Sequence, residues 1–172
     1  MGELILYLGG AKSGKTRLAL ARAETYPAPR IYLATAQALD QEMEERIRRH
    51  QAERGPDWRT LETPFEPNLA IRGLPGPGPV LMDCLTLWLS NLLGENEEDA
   101  QAALARVDDL IAAIKAYPGT VIVVSNEVGG GIVPLNPLAR KFRDLAGSAN
   151  QHLAAQADQV ILAVAGLELK IK

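Results

Sequence analysis

The chain has little cysteine and no long apolar run. Cys84 is the one cysteine among 172 residues, which excludes an internal disulfide and a cysteine-cluster metal site and favours a reducing cytoplasm. No stretch of about 18 apolar residues occurs, so we expect no transmembrane helix. The first ten residues, MGELILYLGG, lack the basic segment and cleavage site of a secretory signal, and we expect none.

The chain also lacks an excess of positive charge. Eighteen basic and 21 acidic residues give a net charge of −3, which argues against non-specific binding to nucleic acid. Hydrophobic residues make up 47% and charged residues 23% of the chain, the balance of a soluble globular protein. A chain of this length is expected to form one domain that needs no disulfide.

Apolar runs typical of buried strands alternate with helical patterns. The predicted strands are 4–8, 30–35, 58–62, 80–83, 119–125 and 159–165, followed by an edge strand at 166–172. The predicted helices are 15–24, 41–53 with Asp40 as its cap, 85–93, one from the acidic turn 94–99 to about 117, and 136–155. This alternation predicts an α/β fold: a mostly parallel sheet flanked by helices, with a C-terminal edge hairpin. Ligands of such sheets bind at the carboxyl ends of the strands.

A phosphate-binding motif follows the first predicted strand. Residues 9–16, GGAKSGKT, match G-x-x-x-x-G-K-[ST] through Gly9, Gly14, Lys15 and Thr16. Glycines let backbone N–H groups surround a phosphate, and the helix N-terminus adds partial positive charge. Lys15 is expected to reach the β- and γ-phosphates of a nucleotide, and the Thr16 hydroxyl to ligate Mg²⁺. We therefore expect 1–172 to be a single nucleotide-binding catalytic domain.

Two further strand ends carry carboxylates. Asp83 ends an apolar strand, where P-loop proteins place a second Mg²⁺-side carboxylate; an ordinary strand-terminal aspartate is the alternative. Asn126 and Glu127 end the most β-branched strand, before a glycine-rich turn. Glu127 is a weaker candidate for metal binding or for activating an acceptor hydroxyl.

One of the two histidines lies in a basic setting. If 41–54 is helical, Arg46, His50 and Arg54 recur every four residues and share one face. Neighbouring guanidinium groups lower a histidine's pKa, which leaves a neutral imidazole able to attack a phosphoryl centre. Arg46 and Arg54 are then candidates for phosphate contacts. The alternative is a solvated basic face; His152 is interpreted as a helix-surface or packing residue.

Six segments occur in the order found in one enzyme family: GGAKSGKT, YLATAQALDQEMEERIRRHQAER, WRTLE, LMDCLT, SNEVGGGIVP and LARKFRDLAGSANQHLA. The chain resembles, from about Leu4 to Lys172, the bifunctional adenosylcobinamide kinase / adenosylcobinamide-phosphate guanylyltransferases of cobalamin biosynthesis. The resemblance implies a RecA-like P-loop fold and two reactions. ATP or GTP phosphorylates adenosylcobinamide, and GMP then passes from GTP to adenosylcobinamide phosphate, giving adenosylcobinamide-GDP and pyrophosphate. The position that matches the family's guanylylated histidine is His50.

The same resemblance implies a set of nucleotide contacts that lie in five short segments. They are Gly9, Gly10, Ala11, Lys12, Ser13, Gly14, Lys15, Thr16, Ala34, Thr35, Ala36, Gln51, Ala52, Glu53, Arg54, Glu62, Asp83 and Cys84. Lys12 stands where the family often has arginine, Thr16 where it often has serine, and Asp83 where some members have glutamate. The first two replacements keep the charge or the hydroxyl, whereas Asp83 is one methylene shorter.

The resemblance also implies Mg²⁺ as cofactor, GTP and ATP as substrates, a cytoplasmic location and a homotrimer. Two other functions fit the phosphate loop and Asp83. One is a small-molecule kinase without transferase activity, which leaves the arginine–histidine face unexplained. The other is a regulatory NTPase that switches a partner protein and has no small-molecule acceptor.

Overall fold

The computed structural model of the chain describes residues 2–38, 41–52, 54–95 and 99–172. Its strands are β1 (Glu3–Gly9), β2 (Arg30–Ala34), β3 (Trp58–Glu62), β4 (Val80–Asp83), β5 (Thr120–Asn126), β6 (Gln159–Val164) and β7 (Leu167–Lys170). Its helices are α1 (Lys15–Glu24), α2 (Gln41–Ala52), α3 (Pro67–Arg72), α4 (Leu85–Glu95), α5 (Ala100–Ala116) and α6 (Pro137–Gln156).

All seven strands form one sheet in the order β3-β2-β4-β5-β1-β6-β7. Every pairing is parallel except β6 with β7, which is antiparallel. The mostly parallel α/β sheet with a C-terminal edge hairpin is therefore confirmed. The strand next to the phosphate motif, β1, is central, because it lies between β5 and β6.

The two faces of the sheet bury separate apolar clusters, because successive side chains of a strand point to opposite faces. On one face Leu4 and Leu6 pack in a large cluster with residues of α3 to α6, and Trp88 is fully buried there. On the other face Ile5 and Tyr7 pack with Ala19 and Ala23 of α1. Burial on both faces explains why the central strands are continuously apolar.

Two features differ from the sequence prediction. Helix α3 has six residues, too few to show an apolar period, and the sequence patterns did not indicate it. Its start has Pro67 at the first position, where the missing N–H costs nothing, and of its apolar side chains Ile71 is buried while Leu69 is exposed. Helix α2 ends at Ala52, so the prediction that Arg54 continues its face is wrong. The Gly55-Pro56 pair that follows disfavours further helix.

The other boundaries agree within one to three residues. Asp99 caps α5, since its side chain accepts a hydrogen bond from the Ala102 N–H, and Asn136 caps α6 through the Ala139 N–H. The proposed cap Asp40 lies outside the described residues. Within the described ranges, no helix has the length and apolar character needed to cross a membrane.

Candidate nucleotide-binding site

Strand register brings the predicted residues to one edge of the sheet. Gly9 is paired with Asn126, and Ala34 is paired with Asp83 on one side and Glu62 on the other. Neighbouring strands lie about 4.8 Å apart. The edge formed by the adjacent strands β1, β5, β4, β2 and β3 therefore extends over about 19 Å. That span suits a nucleotide lying across the strand ends.

The phosphate loop adopts a tight backbone path. Gly14 has φ 90° and Lys12 has φ 55°, both in the left-handed region where side chains are disfavoured. A Cβ on Gly9 would lie 2.4 Å from Ser13 Oγ and 2.8 Å from the Ala163 carbonyl oxygen, so the close approach requires glycine. The largely buried Lys15 Nζ donates to the Gly10 carbonyl at 3.0 Å.

The turn between β6 and β7 braces this loop from outside. The Gly166 N–H donates to the Ser13 carbonyl at 2.9 Å, and Arg17 Nη2 donates to the Gly166 carbonyl at 3.1 Å. Gly166 has φ 80°, and a Cβ on Gly14 would lie 3.1 Å from its Cα. Two glycine backbones thus pack directly on each other.

A cavity of about 350 Å³ opens beside the phosphate loop. Its walls come from the start of α1, from the ends of β2 to β5, and from the segments near α2 and α4. The lining residues are Lys15, Thr16, Tyr32, Ala34, Ala36, Gln37, Ala38, Met43, Gln51, Arg54, Glu62, Pro64, Asp83, Cys84, Leu87 and Asn126. A lining that combines four charged side chains with apolar ones suits a molecule with an aromatic base and phosphates.

Tyr32 links two of the charged groups in this cavity. Its hydroxyl donates to Asp83 Oδ2 at 2.9 Å, and the Arg54 guanidinium carbon lies 3.7 Å from the centre of its ring. Burial, and then the Asp83 charge, raise the pKa of Tyr32 well above its ordinary value, so the hydroxyl remains a donor at neutral pH. The ring also packs edge-on against Trp58, with ring centres 6.2 Å apart.

Thr35 fixes the connection that follows β4. Its buried hydroxyl accepts from the Cys84 N–H at 2.7 Å and donates to the Cys84 carbonyl at 2.8 Å. Burial, and then the neighbouring Asp83 charge, raise the pKa of Cys84 to about 11. Cys84 therefore contributes a neutral thiol to the cavity wall, not a nucleophilic thiolate.

Asn126 is held at the cavity by a chain of buried polar groups. Its Nδ2 donates to Thr86 Oγ1 at 2.7 Å, and its carbonyl accepts from Asn150 Nδ2 at 3.2 Å. Asn150 Oδ1 in turn accepts from Ser125 Oγ at 2.7 Å. Satisfied networks of this kind fix a side chain in one orientation.

The structure gathers many of the sequence-predicted residues around the cavity and leaves others outside its walls. Those in the walls are Lys15, Thr16, Ala34, Ala36, Gln51, Arg54, Glu62, Asp83 and Cys84. Those that do not form the walls are Gly9, Gly10, Ala11, Lys12, Ser13, Gly14, Thr35 and Ala52, of which 9–14 form the loop backbone. Sequence reasoning missed Tyr32 as a site residue, since it lies within an apolar strand that gives no polar signal.

Helix α2 carries the backbone of the predicted nucleophile. Arg46 and His50 belong to Gln41–Ala52, but their side chains lie outside the described part of the chain, as does the whole of Glu53. Arg54 leaves the helix through a turn in which its N–H donates to the Gln51 carbonyl at 3.2 Å. His152, the other histidine, lies 2.9 Å from Asp108 on the exposed surface between α5 and α6.

Glu127 stands apart from the cavity walls. Its Oε1 accepts from the Gly129 N–H at 2.9 Å, which closes a local turn, and its own N–H donates to the Gly9 carbonyl at 3.1 Å. The Glu127 backbone thus joins the end of β5 to Gly9 at the start of the phosphate loop, while Glu127 itself is exposed.

The donor set fits a magnesium ion that is bound partly by the nucleotide. In the described ranges no three His, Cys, Asp or Glu side chains cluster to hold a metal. Thr16 and Asp83 nevertheless line one cavity with Lys15, and a hydroxyl plus a carboxylate is a partial set of hard oxygen ligands. Mg²⁺ characteristically combines one or two such ligands with water and phosphate oxygens.

The fold and this loop define a P-loop nucleotide-binding protein. A solved structure similar to the chain is that of the RadB recombinase, with a TM-score of 0.57 at 17% identity over 94% of this chain and 74% of that one. At that identity the likeness establishes the RecA-like P-loop fold alone.

Sequence comparison places the chain in a particular family. A model of the cobinamide kinase / cobinamide phosphate guanyltransferase family, CobU, matches residues 5–171, and the chain belongs to this family. It is 45% identical to the bifunctional adenosylcobalamin biosynthesis protein CobU of Salmonella typhimurium, over 98% of this chain and 99% of that protein. It is 44% identical to the bifunctional adenosylcobalamin biosynthesis protein CobP of Pseudomonas aeruginosa, over 97% and 96% of the two chains.

Proposed function

We propose that the chain is a single catalytic domain that carries out both reactions named for its family. It phosphorylates adenosylcobinamide and then transfers GMP from GTP to adenosylcobinamide phosphate. The observation that carries this proposal is that the loop lysine, Asp83, Arg54 and Glu62 all line one cavity in a chain of this family. One nucleotide site can therefore serve both steps.

The phosphate loop end stabilises the charge that develops on phosphate oxygens. Backbone N–H groups of residues 9–16 and the N-terminus of α1 supply fixed positive dipoles. The Lys15 ammonium lies in the same cavity, where low exposure strengthens its interaction with an anion. These groups act on whichever oxygens carry charge, so both reactions use them.

For guanylyl transfer we propose His50 as the nucleophile. Its neutral ring nitrogen forms a bond to the α-phosphorus of GTP, and the bond to the bridging oxygen breaks, so pyrophosphate leaves with that electron pair. A phosphate oxygen of adenosylcobinamide phosphate then attacks the same phosphorus and displaces His50. Arg46 or Arg54 neutralises the α-phosphate during both displacements.

The kinase step needs no covalent intermediate. A hydroxyl of adenosylcobinamide must line up with the γ-phosphate of ATP or GTP, and the charge must be neutralised. Thr16 and Asp83 are the residues that would hold Mg²⁺. When bound, that ion neutralises charge on the phosphate oxygens.

The test is intact mass spectrometry after incubation with GTP and Mg²⁺. The wild type should gain the mass of one GMP, labile to acid, and His50→Ala should gain none while it keeps kinase activity toward adenosylcobinamide. His152→Ala is the matched control, because it removes the other histidine of the chain, and it should label like the wild type.

Each other outcome identifies a different function. A folded wild-type protein that binds GTP, forms no adduct and phosphorylates a small alcohol is a kinase without transferase activity. Slow release of GDP with no acceptor indicates a regulatory NTPase. Equal loss of kinase and transferase in folded His50→Ala contradicts the division of roles.

Two further properties belong to the same proposal. The relatives are bacterial biosynthetic proteins by name, and we propose a cytoplasmic location. We also propose a homotrimer by family resemblance, which sedimentation equilibrium tests directly.

A further inference from the structure

We propose that Tyr32 is a positioning residue of the nucleotide site, which holds Arg54 with its ring and Asp83 with its hydroxyl. Tyr32 lies outside the phosphate-loop motif, residues 9–16, and opens the YLATAQ segment without having been assigned a role in the site. The inference rests on the proposed function, because the proposed function assigns the cavity to a nucleotide. It concerns how the cavity is arranged and is measured by GTP binding, which does not require transfer chemistry.

The first support is the geometry of the arginine. The guanidinium carbon of Arg54 lies 3.7 Å from the Tyr32 ring centre, and Nη2 donates to Thr60 Oγ1 at 3.2 Å. Tyr32 and Thr60 are register partners on neighbouring strands, so the arginine lies flat across both. A stacked cation over an aromatic face is attracted by the ring quadrupole, most strongly where water is excluded.

The second support is the state of the remaining arginine donors. Nε and Nη1 of Arg54 are inaccessible to solvent and have no hydrogen-bond partner among the described residues. Buried charged donors without acceptors are costly, and Arg54 lines the cavity. Since neither atom has an acceptor in the described part of the chain, the contacts that hold the guanidinium are the Tyr32 ring and Thr60 Oγ1, and its position depends on them.

The third support is the bond to the carboxylate. Tyr32 donates to Oδ2 of Asp83 at 2.9 Å, and this fixes the rotation of the carboxylate at the strand end. Asp83 is the proposed partial ligand for Mg²⁺, and groups that orient a metal ligand affect metal affinity strongly. One side chain thus sets the position of two functional groups of opposite charge.

Rigid packing is what allows Tyr32 to act in this way. The residue is 4% exposed, and its ring is confined between the edge contact with Trp58 and the guanidinium of Arg54. Its strand, β2, is paired on both sides by β3 and β4. A side chain held by packing transmits its position to the groups that it contacts.

The experiment separates the ring from the hydroxyl. Tyr32→Phe keeps the ring and removes the bond to Asp83, whereas Arg54→Lys keeps the charge and removes the planar stack. Calorimetry measures the Kd of GTP in EDTA and in Mg²⁺. Tyr7→Phe is the matched control, since Tyr7 is a buried tyrosine on the same sheet face whose hydroxyl donates to a carboxylate, Glu168, at 2.9 Å.

Tyr32→Phe and Arg54→Lys should differ in whether their effect on GTP binding depends on Mg²⁺. Tyr32→Phe should leave the Kd in EDTA within about twofold of wild type and reduce the tightening by Mg²⁺ about tenfold. Arg54→Lys should weaken GTP binding about tenfold with or without Mg²⁺. Tyr7→Phe should change neither value, although it loses a comparable hydrogen bond.

A double-mutant cycle then tests the coupling. Tyr32→Leu removes both contacts and should weaken GTP binding in EDTA about as much as Arg54→Ala, and the double variant should lose little more than the larger single loss. Simple addition of the two losses in folded proteins would overturn the proposal. So would a Tyr32→Phe variant with an unchanged response to Mg²⁺, or a Tyr7→Phe variant that matches it.

Failure of the proposed function gives a different result. If the wild type binds GTP with this pattern but forms no guanylyl adduct, the role of Tyr32 stands and the transferase assignment fails. If the adduct forms normally in every Tyr32 variant and the Kd values do not move, the transferase stands and the role of Tyr32 fails.

Discussion

At the phosphate-loop end of the cavity the backbone holds the functional groups, whereas at the Arg54 end side chains hold them. The loop is set by positive φ angles at Lys12 and Gly14 and by the contact with Gly166. The other end depends on the stack of Arg54 on Tyr32 and on the Tyr32 bond to Asp83. A backbone site accepts any phosphate chain, while a side-chain site can be tuned to one nucleotide by single substitutions.

Removal of the loop lysine should impair both the kinase reaction and guanylyl transfer. Lys15→Ala should lower kinase and guanylyl-transfer rates by about 100- to 1,000-fold, because a preorganised charge in a water-poor site is lost. Steady-state assays of each reaction measure it. Lys170→Ala, on the exposed strand β7, is the control and should retain full activity; a transferase that survives Lys15→Ala would contradict a shared site.

Separation of the two reactions is the second test. His50→Ala should abolish guanylyl transfer and keep the kinase, because only the transferase step is proposed to pass through a covalent bond to the protein. Assays with adenosylcobinamide and with its phosphate measure the two steps separately, with His152→Ala as the control.

Substitution of a loop glycine tests how strictly the backbone fixes the first end. Gly9→Ala should cost about 1–3 kcal/mol of unfolding free energy, the usual cost of overpacking, because its Cβ would meet Ser13 Oγ at 2.4 Å and the Ala163 carbonyl at 2.8 Å. Urea unfolding measures it. A Cβ on Gly10 has no neighbour within 4 Å, so Gly10→Ala should cost much less, and equal costs would refute the explanation.

At the side-chain end the corresponding change is Thr35→Val. It keeps the shape but leaves the buried N–H and carbonyl of Cys84 without the hydroxyl that serves both, at a cost of about 1–3 kcal/mol. Thr120→Val removes a single bond to Glu3 and should cost less in the same urea measurement. The reverse order would show that Thr35 does not organise the turn after β4.

The smallest expected effect is on the pH dependence of stability, and it concerns Asp158, which is remote from both ends of the cavity. The Leu4 N–H, and then Lys115, lower the pKa of Asp158. The folded pKa is depressed, so this stabilisation is present above the ordinary aspartate pKa, about 3.9, and is lost as pH falls through the folded value. Asp158→Asn should flatten the acid limb of unfolding free energy against pH and leave the Kd of GTP unchanged; a steeper limb would contradict it.

The sequence marks the loop end of the candidate site more fully than the other end. The phosphate motif is contiguous, so Gly9 to Thr16 are recognisable without knowledge of distant contacts. Asp83 ends an apolar strand, whereas Glu62, which the family resemblance indicated, ends the partly polar β3; the parallel order of strands brings both to one edge. Local patterns are sufficient for residues whose role depends on local backbone.

The missed site residue Tyr32, the wrong placement of Arg54 and the missed helix α3 all depend on contacts that sequence patterns do not contain. Tyr32 belongs to a strand that is apolar on both faces, where a tyrosine gives the same pattern as a core residue. Arg54 was expected on the face of α2, but the helix ends at Ala52 and a turn carries the guanidinium to the Tyr32 ring. Short α3 has too few apolar residues for a period to be detected.

The brace between Gly166 and the phosphate loop has a consequence for the order in which the chain acquires its structure. Arg17 and its acceptor at Gly166 are 149 positions apart, and β1 needs β5 and β6 as partners on both sides. During synthesis from the N-terminus the loop emerges well before the segment that completes it. Contacts of such long range slow folding, so the loop should gain full affinity for nucleotide only after the β6–β7 hairpin has emerged from the ribosome and paired with β1.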